Sequence, residues 1–280
     1  MLRLGSLSLV AMIGLAVTAA AQTPAARFRW TAGQTLEYRV EHVTSVSELI
    51  GTQKIETQTK LNLERRWQIL AVEPSGAARL QMSLISLRME TKKPNGETFV
   101  FDSKKADAKT AELNKELMQF VGKAIATIRI DAQGRLLDAK VLDPTFGSAA
   151  RLQADLPFKV VWPDEAPQTG QSWERSCKLV MEPPLGAGES YDAIQKYTVQ
   201  GVEGNLMRIG LATSVKNPPE AAMDHIPLIP MTPSGTITFD AASGRMKKAD
   251  LKCSGEVADH RPEGGKYTFS STYVEELIEK

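Results

Sequence analysis

The stretch Ile128-Arg129-Ile130-Asp131-Ala132-Gln133-Gly134-Arg135-Leu136 returns near the C-terminus as Ile237-Thr238-Phe239-Asp240-Ala241-Ala242-Ser243-Gly244-Arg245-Met246. In each copy alternating apolar residues run into an Asp, the loop closes on Gly, and a basic residue opens the return. Asp bonds the backbone ahead of it and tolerates turn geometry, while Gly supplies the positive φ that a short hairpin loop needs. The pattern is that of strand, tight turn, strand. Its recurrence points to two related β units in one chain.

Other matches fall in the same order. Gly170-Gln171 echoes Gly33-Gln34, each opening a strand, and Tyr197, Val199 and Val202 before Gly204 echo Trp67, Ile69 and Val72 before Gly76. Period-two alternation in Leu36, Tyr38 and Val40 marks a strand with one buried face. Further strands are read at 54–63, 67–71, 78–84, 87–90 and 98–101, with Pro-Ser-Gly and Pro-Asn-Gly turns between them. The expected fold is therefore mainly β (α+β), with curved antiparallel sheets built from two β-meander halves, 22–160 and 161–280.

The period changes once. From Ser103 to Ala124, with Asp102 or Ser103 as cap, Leu113, Leu117, Phe120, Val121 and Ala124 recur at spacings of three and four. That spacing predicts one main helix over about 103–124, packed on the sheet. A short helix is read from Asp143-Pro144 to Leu152. Leu156-Pro157 and Trp162-Pro163-Asp164-Glu165-Ala166-Pro167 read as a Pro-rich connector between the halves. The counterpart of the main helix in the second half is a Pro-rich apolar loop, 217–233, whose prolines no continuous helix accommodates.

The N-terminus carries Arg3, an apolar run from Leu4 to Ala20, and small residues up to Ala21, the pattern of a signal peptide over 1–21. The mature chain is then expected to be exported, periplasmic or extracellular, and not an integral membrane protein. One of the 34 basic residues lies in that leader, so basic and acidic residues balance at 33 each. Such a balance disfavours nucleic acid and a polybasic membrane patch, both of which need excess Lys and Arg.

Chemistry-bearing patterns are few. His42, His225 and His260 have neither metal-ligand spacing nor cysteine neighbours and read as surface residues. Gly147-Ser148 lacks a nucleophile elbow, and Gly186-Ala187-Gly188 lacks the Lys and helix of a phosphate loop. Asp164-Glu165 and Glu275-Glu276, adjacent in extended chain, point to opposite faces and read as solvated charges. No catalytic, cofactor or metal residue is expected. Cys177 and Cys253 share parity with inward apolar neighbours; in an exported chain they form either one disulfide or two buried thiols.

The segment from Trp162 to Trp173, proline-rich and running from glycine to tryptophan, resembles one found in exported bacterial proteins of unknown function with a signal peptide and β-meanders. The architecture is similar to the lipoprotein-carrier superfamily, whose half-barrel wraps helices and an apolar cavity, although duplicated halves and a single main helix depart from it. The resemblance implies a non-catalytic envelope protein binding a lipid, lipidated protein or other apolar ligand. The alternative is a structural or protein-interaction module with an envelope-protein partner. Met118, Phe120, Met223, Ile226, Ile229 and Met231 are the candidate apolar groove and lid, since Met adapts to irregular apolar shapes.

Overall fold

A computed structural model describes residues 26–105, 115, 117–143, 148–183, 186–260 and 265–279. Its strands are β1 (Thr35–Ile50), β2 (Gln53–Val72), β3 (Ala78–Lys92), β4 (Thr98–Asp102), β5 (Ala124–Ile130), β6 (Leu136–Val141), β7 (Ser172–Val180), β8 (Ser190–Glu203), β9 (Leu206–Val215), β10 (Ser234–Asp240), β11 (Arg245–Ala258) and β12 (Lys266–Leu277). All belong to one curved, unclosed antiparallel sheet in the order β6-β5-β3-β2-β1-β12-β11-β10-β9-β8-β7, with β4 paired to β3. The expected mainly-β class holds, and the two halves share a single sheet.

The echoes in sequence are echoes in geometry. The amide of Gly33 donates to Ile69 O at 2.8 Å and that of Ile69 to Gln34 O at 2.9 Å; Gly170 donates to Val199 O at 2.7 Å and Val199 to Gln171 O at 3.0 Å. Both glycines have positive φ, 80° and 84°. A bulge follows Ile69 in the β2–β3 ladder and Val199 in the β8–β9 ladder. A second bulge precedes Ile130 opposite Leu136 and Phe239 opposite Met246. Thus β7, β8, β9, β10 and β11 lie in the sheet in the same order as β1, β2, β3, β5 and β6 and carry bulges at matching places, and β12 lies between β1 and β11.

Both repeated turns are built as the residues dictate. Asp131 Oδ1 accepts from the amides of Gln133 (2.9 Å) and Arg135 (2.8 Å), and Asp240 Oδ1 from those of Ala242 (2.9 Å) and Ser243 (3.3 Å). The N-terminal segment lies between the two turns, Phe28 N donating to Ala132 O and Arg29 N to Gly244 O.

The connector departs most from the sequence reading. After α1 (Ala149–Ala154), capped by Ser148 Oγ, the chain passes over the concave face from the β6 edge to the β7 edge. Leu156, Phe158, Val160, Val161 and Trp162 are all buried and belong to the same core as Trp67, Ile69, Leu80, Ile128, Tyr197, Ile209, Ile237 and Phe239. Phe158 meets rings of the first half: Trp30 at 5.3 Å, Trp67 at 5.5 Å and Phe28 at 5.6 Å between centroids. Trp162 meets those of the second, Phe239 at 4.8 Å and Trp173 at 5.7 Å. A sheet curved this far leaves a hollow that must be filled or solvated. Large rings fill it, each worth roughly 1.5–3 kcal/mol when fully buried.

Other boundaries shift. The segments expected at 54–63 and 67–71 are one strand, β2, and those at 78–84 and 87–90 are one strand, β3, because bulges absorb the irregularities that look like breaks. Of the helix expected over 103–124, residues 106–114 and 116 lie outside the described residues; 103–105 form a turn, 115, 117 and 118 are helical, and Ala124 already opens β5. The short helix begins at Ala149; residues 144–147 lie outside the description.

Candidate functional site

Beside the aromatic filling the hollow is not closed. A cavity of about 330 Å³ lies between β1, β11 and β12 on one side, β7, β8, α1 and its following turn on another, and the segment around Met231 on the third. Its walls are apolar at Leu179, Met231, Leu251, Cys253 and Phe269 and polar at His42, Arg151, Asp155, Lys159, Gln195, Lys252, Ser271 and Tyr273.

The third side is α2 (Ala222–His225) running into a 3-10 helix (Ile226–Met231). Pro227 and Pro230 remove the donors an α-helix would need, so the chain takes the tighter form. Leu228 is buried against Ala154, Leu179, Met181 and Ala193. Ile229 presses on β11 at Gly255, where a Cβ would come within 2.9 Å of the Ile229 side chain. Only glycine allows that approach.

The polar wall centres on Lys159, the one charge in the run 156–162. Its φ is 61°, the left-handed region that costs a side-chain-bearing residue roughly 1–2 kcal/mol. That conformation turns the buried side chain toward the cavity, where Nζ bonds Asp155 Oδ1 and lies 4.8 Å from the Tyr273 ring centroid. Burial on its own would raise the Asp155 carboxyl, but the side chain keeps 64% of its surface open. The Lys159 ammonium, its hydrogen bond, Arg65 and Arg151 prevail and hold the carboxyl below the usual range. Burial pushes the His42 imidazole down against the pull of Asp155, with Lys159 and Arg151 adding to the fall. It is therefore neutral near pH 7, with Nε2 3.3 Å from Thr44 Oγ1.

Behind Tyr273 lies a closed polar set. Glu275 is fully buried, and its carboxylate accepts from Arg65 Nε at 2.7 Å, from a second Arg65 nitrogen and from the Tyr273 hydroxyl at 2.8 Å. Burial, with Glu275 nearby, keeps the Tyr273 phenol protonated far above its ordinary range although Arg65 pulls the other way. Arg65 also reaches Pro157 O at 3.4 Å, tying this floor to the connector. Glu275 is thus no solvated charge; Glu276, on the opposite face, pairs with Lys248 as an exposed residue does.

Of the six residues expected to form groove and lid, Met231 lines the cavity. Ile229 and Ile226 sit half-buried in the 3-10 helix beside the cavity and Met223 is exposed on α2. Met118 and Phe120 lie on the segment leading to β5, whose Val121 bridges to Leu84 on β3, and do not line the cavity. His42 lines the cavity and His260 is buried with Nε2 2.8 Å from Glu48, so neither is the surface residue its loop or strand context suggests. Cys177 and Cys253 are free thiols. They do face inward, but β8, β9 and β10 lie between their strands, whereas a bridge needs Cα atoms within about 7 Å. Burial raises both thiols and keeps them protonated. Among the described residues no group of three or more His, Cys, Asp or Glu could hold a metal.

No family model and no curated protein matches the sequence. Among solved structures, one of lipid–protein interactions in lipovitellin aligns with a TM-score of 0.53 at 12% identity, over 90% of this chain and 26% of that one. The chain thus spans about a quarter of the lipovitellin chain, and the likeness is one of fold. A DUF1329 family protein from Desulfovibrio piger aligns over 84% of this chain and 83% of its own with a TM-score of 0.16 and 10% identity. The MucA/MucB complex of Pseudomonas aeruginosa aligns over 85% and 89% with a TM-score of 0.14 and 11% identity. Among the described residues no helix is long and apolar enough to cross a membrane.

Proposed function

We propose that this is a non-catalytic exported protein that binds a small amphipathic ligand, an acyl chain with an acidic head, in the cavity on the concave face. The observation that carries the reading is the composition of that cavity. An apolar wall of Leu179, Met231, Leu251 and Phe269 faces polar lining where three cations, Arg151, Lys159 and Lys252, stand against one carboxylate, Asp155. A net positive charge beside an apolar wall attracts an anion, and the wall accepts its tail. The volume is at the small end for ligand sites, which suits one short chain and not a diacyl lipid. Groups that could act as nucleophiles are held protonated by burial, as at Cys253 and Tyr273. Export rests on the 1–21 leader. The division at 160/161 rests on the repeated ladders, the connector being the filling both halves share.

The test is native mass spectrometry of the purified protein with organic extraction, followed by titration with a dansyl-labelled fatty acid. We expect saturable fluorescence enhancement. Cys253→Trp, which fills the cavity, should abolish it, and Lys159→Met should weaken a fatty acid more than the matching fatty alcohol. A protein that carries no lipid and gives no enhancement sinks the reading.

A further inference from the structure

Lys159 and its counter-ion are unequally placed. The ammonium belongs to a side chain only 5% exposed, on a residue whose neighbours Phe158 and Val160 are buried in the core and whose own amide donates to Leu156 O at 3.2 Å. It cannot leave the cavity without breaking that packing. The carboxylate belongs to Asp155, whose side chain keeps 64% of its surface open. The Asp155 amide donates to Arg151 O at 2.9 Å and closes α1, which fixes the backbone. Its side chain, among the described residues, is bonded to Lys159 alone. A change of rotamer would carry the carboxylate into water, with Arg151 one helical turn back still drawing it.

The two members of this pair therefore differ in what separation costs. An ammonium left alone in a buried site is strongly penalised, whereas an open carboxylate regains its hydration. Lys159 needs an anion beside it at all times, but Asp155 need not be that anion. An ammonium also has three donors, of which Asp155 Oδ1 takes one. The Tyr273 ring, 4.8 Å away at its centroid, steadies the charge without accepting a full hydrogen bond. Among the described residues no second acceptor bonds Nζ. Donors are thus to spare on a buried cation, in a cavity whose other cations, Arg151 and Lys252, favour an anion too.

On the reading that this cavity takes an amphipathic anion, we propose that Asp155 is a resident competitor for the head group, holding Lys159 while the cavity is empty and yielding it to the acidic head of the ligand. One carboxylate replaces another, so the ammonium is compensated before and after. The exchange also sets a threshold. A small inorganic anion brings charge without a tail and gains too little to displace Asp155, whereas an acyl chain adds the burial of its methylenes. A neutral head cannot take the place of a carboxylate beside a buried ammonium, and Asp155 stays where it is.

Isothermal titration of the purified protein near pH 7 with decanoate and with decanol reads the exchange. Asp155→Asn keeps the size and one bonding oxygen of the side chain but not its charge. It should tighten decanoate at least about tenfold and change decanol by less than about twofold. In a Lys159→Met background the same substitution should gain less than about twofold for decanoate, because no ammonium is left to hand over; a gain from relieved repulsion alone would persist there. Glu276→Gln, which removes an exposed carboxylate on the opposite face, should leave both affinities unchanged. A measurement on the parent needs no variant. On saturation with decyl sulfate, whose head does not titrate, carboxyl-carbon NMR should show the Asp155 pKa rising toward the ordinary aspartate range as the carboxylate loses its ammonium. The proposal is overturned if the parent binds decanoate and Asp155→Asn binds it no more tightly, if decanol gains as much, if the gain persists without Lys159, or if the Asp155 pKa stays where it was. The anionic-ligand reading survives each of those results. If neither the parent nor Asp155→Asn binds decanoate, that reading itself fails and the exchange falls with it.

Discussion

The polar floor beneath the cavity makes a quantitative demand. Glu275 is fully buried and its partner Arg65 is only 16% exposed at the side chain, so removing one partner strands the other away from water. In Arg65→Met the carboxylate keeps only the Tyr273 hydroxyl of its three donor contacts. Breaking a buried pair in this way costs about 3–5 kcal/mol, whereas replacing both partners by apolar residues of similar volume is often neutral. The expected results are therefore about 3–5 kcal/mol for Arg65→Met, a similar loss for Glu275→Leu, and a double variant within about 2 kcal/mol of the parent. The coupling would be at least about 4 kcal/mol. Urea unfolding near pH 7 measures all four proteins on one scale. If Arg65→Met costs less than about 1 kcal/mol, the level of an exposed pair, or the two single losses simply add, the floor is solvated and the argument fails.

Two smaller predictions concern the turns and the cavity. Gly134 (φ 87°) and Gly33 (φ 80°) pay the same backbone strain on substitution by Ala, but a Cβ at Gly134 would come within 2.4 Å of Val160 O and 2.6 Å of the Phe28 ring, while Gly33 faces open space. Gly134→Ala should thus cost about 1–3 kcal/mol more than Gly33→Ala in the same unfolding assay, and equal costs would show that the connector is not docked on the turn. His42, whose pKa is lowered by burial, binds its proton more readily unfolded, so it contributes a loss of stability as pH falls from about 6.5 toward its folded value. His42→Asn should flatten that step, and an unchanged pH profile of Tm would place the imidazole in water.

The repeated hairpins were legible because turn chemistry is local. Asp131 and Gly134, like Asp240 and Gly244, act through their own backbone, so residue identity at fixed spacing is enough. Bulges at Ile69 and Val199 were not legible as bulges, since an extra residue in a ladder looks like the end of a strand. The connector was hardest. Proline at 157, 163 and 167 reads as a surface linker, and only the shape of the sheet decides that Phe158 and Trp162 go inside. One signal was present: Lys159 stands alone in Leu156-Pro157-Phe158-Lys159-Val160-Val161-Trp162, a charge that must find a partner if the run is buried. Parity placed Cys177 and Cys253 inward correctly, but parity carries no information on strand order, and strand order separates them.

The matching ladders also bear on where the cavity lies. Aligning Gln34 with Gln171 puts Tyr38 on Arg175, Val40 on Cys177 and His42 on Leu179, and aligning Trp67 with Tyr197 puts Arg65 on Gln195. Each half therefore offers one inward arginine, from β2 in the first and β7 in the second. Both spend hydrogen bonds on the connector, Arg65 at Pro157 O and Arg175 at Ala154 O. Asp155 and Lys159 fall between or just beyond those two anchors. The left-handed turn at Lys159 is thus held by contacts from both halves, and Phe269, Ser271 and Tyr273 come from β12, the strand that has no counterpart. A cavity assembled in this way belongs to neither half. Each half alone would retain its hairpins and bulges, which are local, but would lose one arginine anchor and with it the conformation that turns Lys159 into the hollow.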